Sequence, residues 1–219
     1  FNMIIFMKKS KMKTPKIAVF TRLHYEKDIP QSNLYCFENV FLKSLINQSY
    51  QDFELVIISN YNKGNNDKIR QIIKQSGFKN TVVFTTKENR LRYIHDIEVN
   101  CDSDDGLHPD FIKECVNHYH NFNPRINNFL VVFTKYEKTV INTGERYKCP
   151  LPTKENNGFP TNFYAVIQRG EKTLSCGMRE HNRMDTVIPD IVVNSELVNE
   201  FSIHSNNTGS KIYNSDVKM

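Results

Sequence analysis

Three aspartates fall within four residues at Asp102-Ser103-Asp104-Asp105, directly ahead of Gly106 and a helix-forming stretch. Carboxylates this close repel one another, and a folded chain keeps them together chiefly when a cation offsets the charge. On an extended segment residues two apart share a face, so Asp102 and Asp104 can address one bound ion or a ribose beside it. A solvated Asp-Asp-Gly turn, with one aspartate capping the next helix, has the same spacing. The surrounding elements must decide between the two. A second polar cluster, Met178-Arg-Glu-His-Asn-Arg-Met-Asp185, offers Glu180, His181 and Asp185 as proton acceptors, or as ordinary polar residues on a surface helix.

The first half of the chain reads as alternating strands and helices. Lys16–Thr21 is a short, almost wholly apolar run of the kind found in buried parallel strands, and it ends in Thr21-Arg22. Asn33–Gln48 carries Leu34, Phe37, Val40, Phe41 and Leu45 at near-helical spacing, with Ser32 or Asn33 placed to cap it. Phe53–Ser59 is a second buried strand, Asn60–Asn66 a polar turn, Asp67–Gln75 a helix stopped by Gly77, and Thr81–Thr85 a third strand. This order predicts an α/β fold with a Rossmann-like, mostly parallel sheet flanked by helices. Ligands of such sheets sit beyond the carboxyl ends of the strands, where Thr21-Arg22 and Ser59-Asn60 fall. In the second half a helix is expected from Pro109 to about His120, with Pro109 near its first position. Antiparallel strands are expected at Asn128–Phe133 and Val140-Ile141, a loop at Cys149–Pro160 and a strand at Phe163–Ile167. The expected organisation is a leader over 1–14 and one domain over 15–213, followed by a tail over 214–219. Within the domain, 15–105 would bind nucleotide and 106–213, smaller and mixed, would complete the metal site and take the acceptor.

The stretch Phe41-Leu-Lys-Ser-Leu-Ile-Asn-Gln-Ser-Tyr-Gln-Asp-Phe-Glu-Leu-Val-Ile-Ile-Ser59 resembles the helix and second strand of family 2 glycosyltransferases. Cys101-Asp-Ser-Asp-Asp-Gly-Leu-His-Pro-Asp-Phe111 is similar to the D-x-D-D segment of rhamnosyltransferase-like members, whose first strand also ends in Thr-Arg. Ile203-His-Ser-Asn-Asn-Thr208 is similar to their H-G-x-N segment. Two motifs in order at the right separation are more specific than either alone, and the likeness is best over Lys16–His118. A kinship with the first domain of large chloroviral glycosyltransferases is a further expectation. The resemblance implies the GT-A fold, Mn²⁺ or Mg²⁺ as cofactor, and a nucleotide-sugar donor, UDP-linked by expectation, giving its sugar to a glycan hydroxyl. It also implies Asp104 as direct metal ligand, Asp102 on the ribose or metal, Asp105 and Ser103 at the donor, and His204 completing the metal shell, with Thr21 and Arg22 lining the nucleotide pocket. For an inverting transfer Asp185 would be the base, ahead of Glu180 and then His181. Two departures stand out. Asn100-Cys101 replaces the arginine usual before D-x-D, so Arg90 or Arg92 would supply a cation, and Asn60 stands where an aspartate often contacts the base.

Composition narrows the rest. The net charge of +5 is spread along the chain rather than gathered in one arm, which gives nucleic-acid binding little support. Five scattered cysteines with no C-x-x-C pair argue against a disulfide framework or zinc knuckle and for a reducing, cytoplasmic setting, a host's cytoplasm if the source is viral. No run approaches the roughly 20 apolar residues of a membrane span, and fusion to further domains is compatible with the sequence. A nucleotidyltransferase is the rival enzyme, though Thr21–Gln31 lacks the glycine-rich phosphate loop it normally needs. The non-enzymatic rival is a catalytically silent nucleotide-sugar or carbohydrate-binding module.

Overall fold

The computed structural model describes residues 13–23, 25, 27–59, 63–89, 95–148, 163–171, 188, 190–204 and 217–219. Asn60, Arg90, Arg92, Glu180, His181 and Asp185 lie outside these residues.

Strand β1 (Ile17–Leu23) runs parallel to β2 (Glu54–Ser59) on one side and to β4 (Ile97–Asn100) on the other, with β3 (Val82–Thr85) parallel to β2 at the edge. Both faces of β1 and β2 are covered, which is why their sequences read as continuous apolar runs rather than alternating ones. The larger core packs Ile17, Val19, Leu55, Ile57, Ile97 and Val99 against the helices, while Ala18, Phe20, Val56 and Ile58 form a second core on the opposite face. Each fully buried Phe or Leu of this kind stabilises the fold by about 1.5–3 kcal/mol.

Several elements depart from the sequence-based expectation. The helical run begins at Gln31 with Pro30, rather than Ser32 or Asn33, at the cap position, and it comprises α1 (Gln31–Cys36), a π-helical stretch (Phe37–Leu42) and α2 (Lys43–Ile46). Helix α3 (Lys63–Ser76) starts four residues earlier than expected, because Asn65 is buried and bonds the chain ahead of α1 through Lys27 O and Ile29 N. Gly77, at φ 79°, ends it as expected. Helix α4 (Phe111–Asn121) begins after Asp110, so Pro109 precedes it.

Beyond α4 the sheet becomes mixed. Strand β5 (Asn128–Val140) is continuous, where two separate strands were expected, and Val140 pairs with Glu145 at the start of β6 (Glu145–Lys148). Strand β7 (Tyr164–Gln168) lies antiparallel between β4 and β5. Strand β8 (Ile191–Ile203), which periodicity did not reveal, runs parallel along β5, and β9 (Val217–Lys218) pairs with β6. Among the described residues the strands form one nine-stranded sheet in the order β3-β2-β1-β4-β7-β5-β6-β9, with β8 on β5. The consequence for the site is that β8 delivers the chain near residue 204 to the acidic turn that follows β4.

Candidate active site

Strand β4 ends at Asn100, and the chain turns at once through Asp102–Asp105, closed by a 3.2 Å bond from Asp105 N to Asp102 O. Side chains alternate through the turn. Asp102 and Asp104 are half-buried, whereas Ser103 and Asp105 are buried. The two aspartates expected to share a face are thus the two with access to solvent.

Strand β8 is fastened to this turn at several points. Gly106 and Glu200 exchange backbone bonds of 2.8 Å, the Asp105 carboxylate accepts the Ser202 N–H at 3.0 Å, and Asn199 Oδ1 accepts the His108 N–H at 2.9 Å. Gly106 suits this close approach, since a Cβ there would stand 3.3 Å from both Glu200 Cβ and Val40 Cγ1 and would push them back by a few tenths of an ångström. Two residues past Ser202, the His204 imidazole Nε2 lies 2.9 Å from Asp104 Oδ2, joining positions 100 apart in sequence. The His204 side chain is fully enclosed while that of Asp104 is 18% exposed, so the pair is rigid on one side and open on the other.

The local field is negative. Burial, then Asp104 and Asp102, push the Tyr25 phenol up to about 12, and burial followed by Asp104, Asp105 and Glu200 raises the Cys36 thiol to about 12. Both groups are therefore neutral at physiological pH, and the Tyr25 phenol lies within the electrostatic field of the two aspartates. Sequence reading missed Tyr25, although its place two residues after β1 was a usable signal.

Asp104 and His204 together present a carboxylate and an imidazole, a pair that could hold a divalent ion of the kind Mn²⁺ represents. Among the described residues no three His, Cys, Asp or Glu groups gather to hold an ion unaided. An ion with so few protein donors completes its shell from water and substrate phosphate oxygens, as Mg²⁺ commonly does.

At the carboxyl ends of β1 and β2, Thr21 and Ser59 point to the same face of the sheet, both buried, and among the described residues neither hydroxyl oxygen has a hydrogen-bond partner. Buried unpaired hydroxyls are uncommon and are consistent with a ligand contact. Arg22 faces the other way and is exposed. On the far side of the turn, an open cleft of about 360 Å³ is lined by Gly106, His108, Glu137, Arg146, Asn199 and Glu200.

Parallel strands wrapped by helices, with an acidic turn past their carboxyl ends and a mixed flank returning to it, make this a glycosyltransferase-type domain of the GT-A kind. The sequence pattern of the family described as "Putative rhamnosyl transferase" matches residues 1–213, and the chain belongs to that family. Among solved structures it is similar to the mannosyltransferase PcManGT from Pyrobaculum calidifontis, solved with GDP-Man and Mn²⁺. The TM-score is 0.57 at 13% identity, over 89% of this chain and 59% of that one. It is also similar to residues 1–349 of S. aureus TarS, with a TM-score of 0.50 at 13% identity over 85% and 60% of the respective chains. These likenesses concern the fold, and the chain spans about three-fifths of the length of either structure. No curated protein matches the chain. Among the described residues no helix is long and apolar enough to cross a membrane.

Proposed function

We propose that this domain is a metal-dependent glycosyltransferase that moves a sugar from a nucleotide-sugar, UDP-linked in the first instance, to a hydroxyl of a glycan or related acceptor. The observation that carries the reading is the 2.9 Å meeting of His204 and Asp104 at the carboxyl end of the parallel strands. A surface turn would have no reason to recruit an enclosed imidazole from 100 residues away.

Asp104 and His204 would hold a divalent ion, Mn²⁺ or Mg²⁺, whose contribution is to neutralise charge developing on the departing diphosphate. Asp102 would meet the ribose, and the Thr21 and Ser59 hydroxyls would bond the nucleotide. In the inverting reading the acceptor oxygen bonds to the anomeric carbon as the bond to the diphosphate breaks. The acceptor's proton would pass to a side-chain base, with the Asp185 carboxylate the candidate ahead of Glu180 and then the His181 imidazole. The cleft beside the turn presents donors and acceptors suited to a hydroxyl-rich acceptor. The mannosyltransferase solved with GDP-Man and Mn²⁺ supports the same class of donor and ion for this fold.

The test is to incubate the protein with UDP-, GDP- and dTDP-linked sugars, with and without Mn²⁺, and to measure nucleoside diphosphate release. Release that requires the ion is expected. Pyrophosphate release from a nucleoside triphosphate and a sugar phosphate would indicate a nucleotidyltransferase instead. Nucleotide-sugar binding without turnover in the presence of any acceptor would indicate a silent binding module.

A further inference from the structure

We infer that Asp105 is a positioning residue for His204 and does not itself bind the donor sugar or the ion. This rests on the reading of His204 and Asp104 as the ion-holding pair. Asp105 is 1% exposed, and its Oδ1 accepts the Ser202 N–H at 3.0 Å. That N–H belongs to the penultimate residue of β8, two positions before His204. Strand β5 pairs with β8 up to Ile203, but it leaves the direction of the following residue unset. The Asp105 bond, together with the Gly106–Glu200 backbone pair, ties the strand end to the turn that carries Asp104. Neighbours in the acidic cluster therefore have different tasks. Asp104 offers an oxygen to the ion, and Asp105 offers one to the backbone that brings the second donor.

The chemistry of the two tasks differs in a way substitutions can read. An ion ligand needs the carboxylate charge, whereas a backbone N–H needs only an acceptor oxygen, which an amide also supplies. Asp105→Asn should therefore restore what Asp105→Ala loses, while Asp104→Asn should not be tolerated.

The test compares Asp105→Ala, Asp105→Asn, His204→Ala and the Asp105→Ala/His204→Ala pair, using two measurements. In the first, the imidazole resonances of His204 are recorded by ¹⁵N NMR on protein free of metal and nucleotide, assigned by their loss in His204→Ala. They are expected to move in Asp105→Ala and to stay in place in Asp105→Asn. In the second, the Mn²⁺ dissociation constant in the presence of UDP is measured by calorimetry. Asp105→Ala and His204→Ala should each raise it at least tenfold, the double variant should do no worse than either, and Asp105→Asn should stay within about threefold of the parent. If Asp105→Ala fails to fold, Asp105→Asn still decides. A loss in Asp105→Asn beyond threefold, additive losses in the double variant, or unmoved His204 resonances in folded Asp105→Ala would each overturn the inference. Should the parent bind neither UDP nor Mn²⁺, the functional reading fails while the NMR measurement still judges the role of Asp105.

Discussion

Two histidine–carboxylate pairs lie at opposite ends of the same parallel strands. His95 Nε2 meets Glu54 Oε1 at 2.5 Å, where β2 and β4 begin, and His204 Nε2 meets Asp104 Oδ2 at 2.9 Å, beyond where β4 ends. The partners are chemically alike, and only their place in the fold separates them. At the amino end His95 packs edge-on against Phe20 and joins a polar layer with Asp96, whose carboxylate accepts the Lys16 N–H. That layer has the character of structure. Ligands of open α/β sheets bind outside the carboxyl ends of the strands, so the similar pair there stands where a ligand would be expected. A histidine beside a carboxylate is thus weak evidence of function until its end of the sheet is known.

The sharpest way to break this contrast is at Asp104. Asp104→Asn is expected to reduce transfer to background, and the parent's stabilisation by Mn²⁺ with a nucleoside diphosphate should vanish. In the parent that stabilisation should be about 2.7 kcal/mol when ligand is a hundredfold above its dissociation constant. Melting curves with and without the ligands check both points, and an equal response in parent and variant would remove Asp104 from the site. Asp185→Asn should lower kcat by about 10²–10⁴, the usual contribution of a positioned base, with donor affinity unchanged. Full activity there with collapse in Glu180→Gln would move the role to Glu180.

Smaller effects sharpen the comparison from both ends. His204→Ala should weaken Mn²⁺ binding by roughly tenfold or more, the usual penalty for disturbing a metal shell or its support, and should also lower the melting temperature of the ligand-free protein, since it empties an enclosed site and removes the bond to Asp104. Glu54→Gln should affect stability alone. It should leave kcat and donor affinity as they were and cost up to about 1 kcal/mol in urea unfolding, because the amide oxygen still accepts the bond but without the carboxylate's charge. If Glu54→Gln impaired transfer more than stability, the division between a structural end and a functional end would not hold.

What could be read from the chain follows from how each element is stabilised. Strands β1 and β2 are covered on both faces, so their composition alone marks them, and the acidic turn was legible because like charges in sequence demand an explanation. Strand β4 escaped notice because it is four residues long and carries Glu98 and Asn100, both buried through polar neighbours rather than by apolar character. Strand β8 escaped because much of it is only half covered, with Val193 58% exposed, so neither a buried run nor a clean alternation appears. The meeting of His204 with Asp104 depends on both missed strands. A motif resemblance could nominate the two residues, but only the pairing of β8 with β5 and the turn brings them together.

A third histidine supplies the finest test, because among the described residues it has no hydrogen-bonded carboxylate. His118 lies in the last turn of α4, where the helix dipole would favour a charged imidazole. Its Nε2 is nevertheless buried without a partner, and burial lowers the pKa, outweighing the opposing pull of Glu114. The sign for stability follows from linkage. With the folded pKa below the ordinary value of about 6.5, the unfolded chain takes up a proton at a higher pH than the native protein does. The contribution is therefore fully present above about 6.5 and is lost as pH falls from there through the lower folded value. His118→Gln removes this site of differential proton uptake, so the loss of stability between pH 7 and 5 should be shallower in the variant than in the parent. Urea unfolding at half-unit steps of pH would show it as two curves converging toward acid. An equally steep acid loss in both proteins would mean that His118 is not the group whose protonation costs stability.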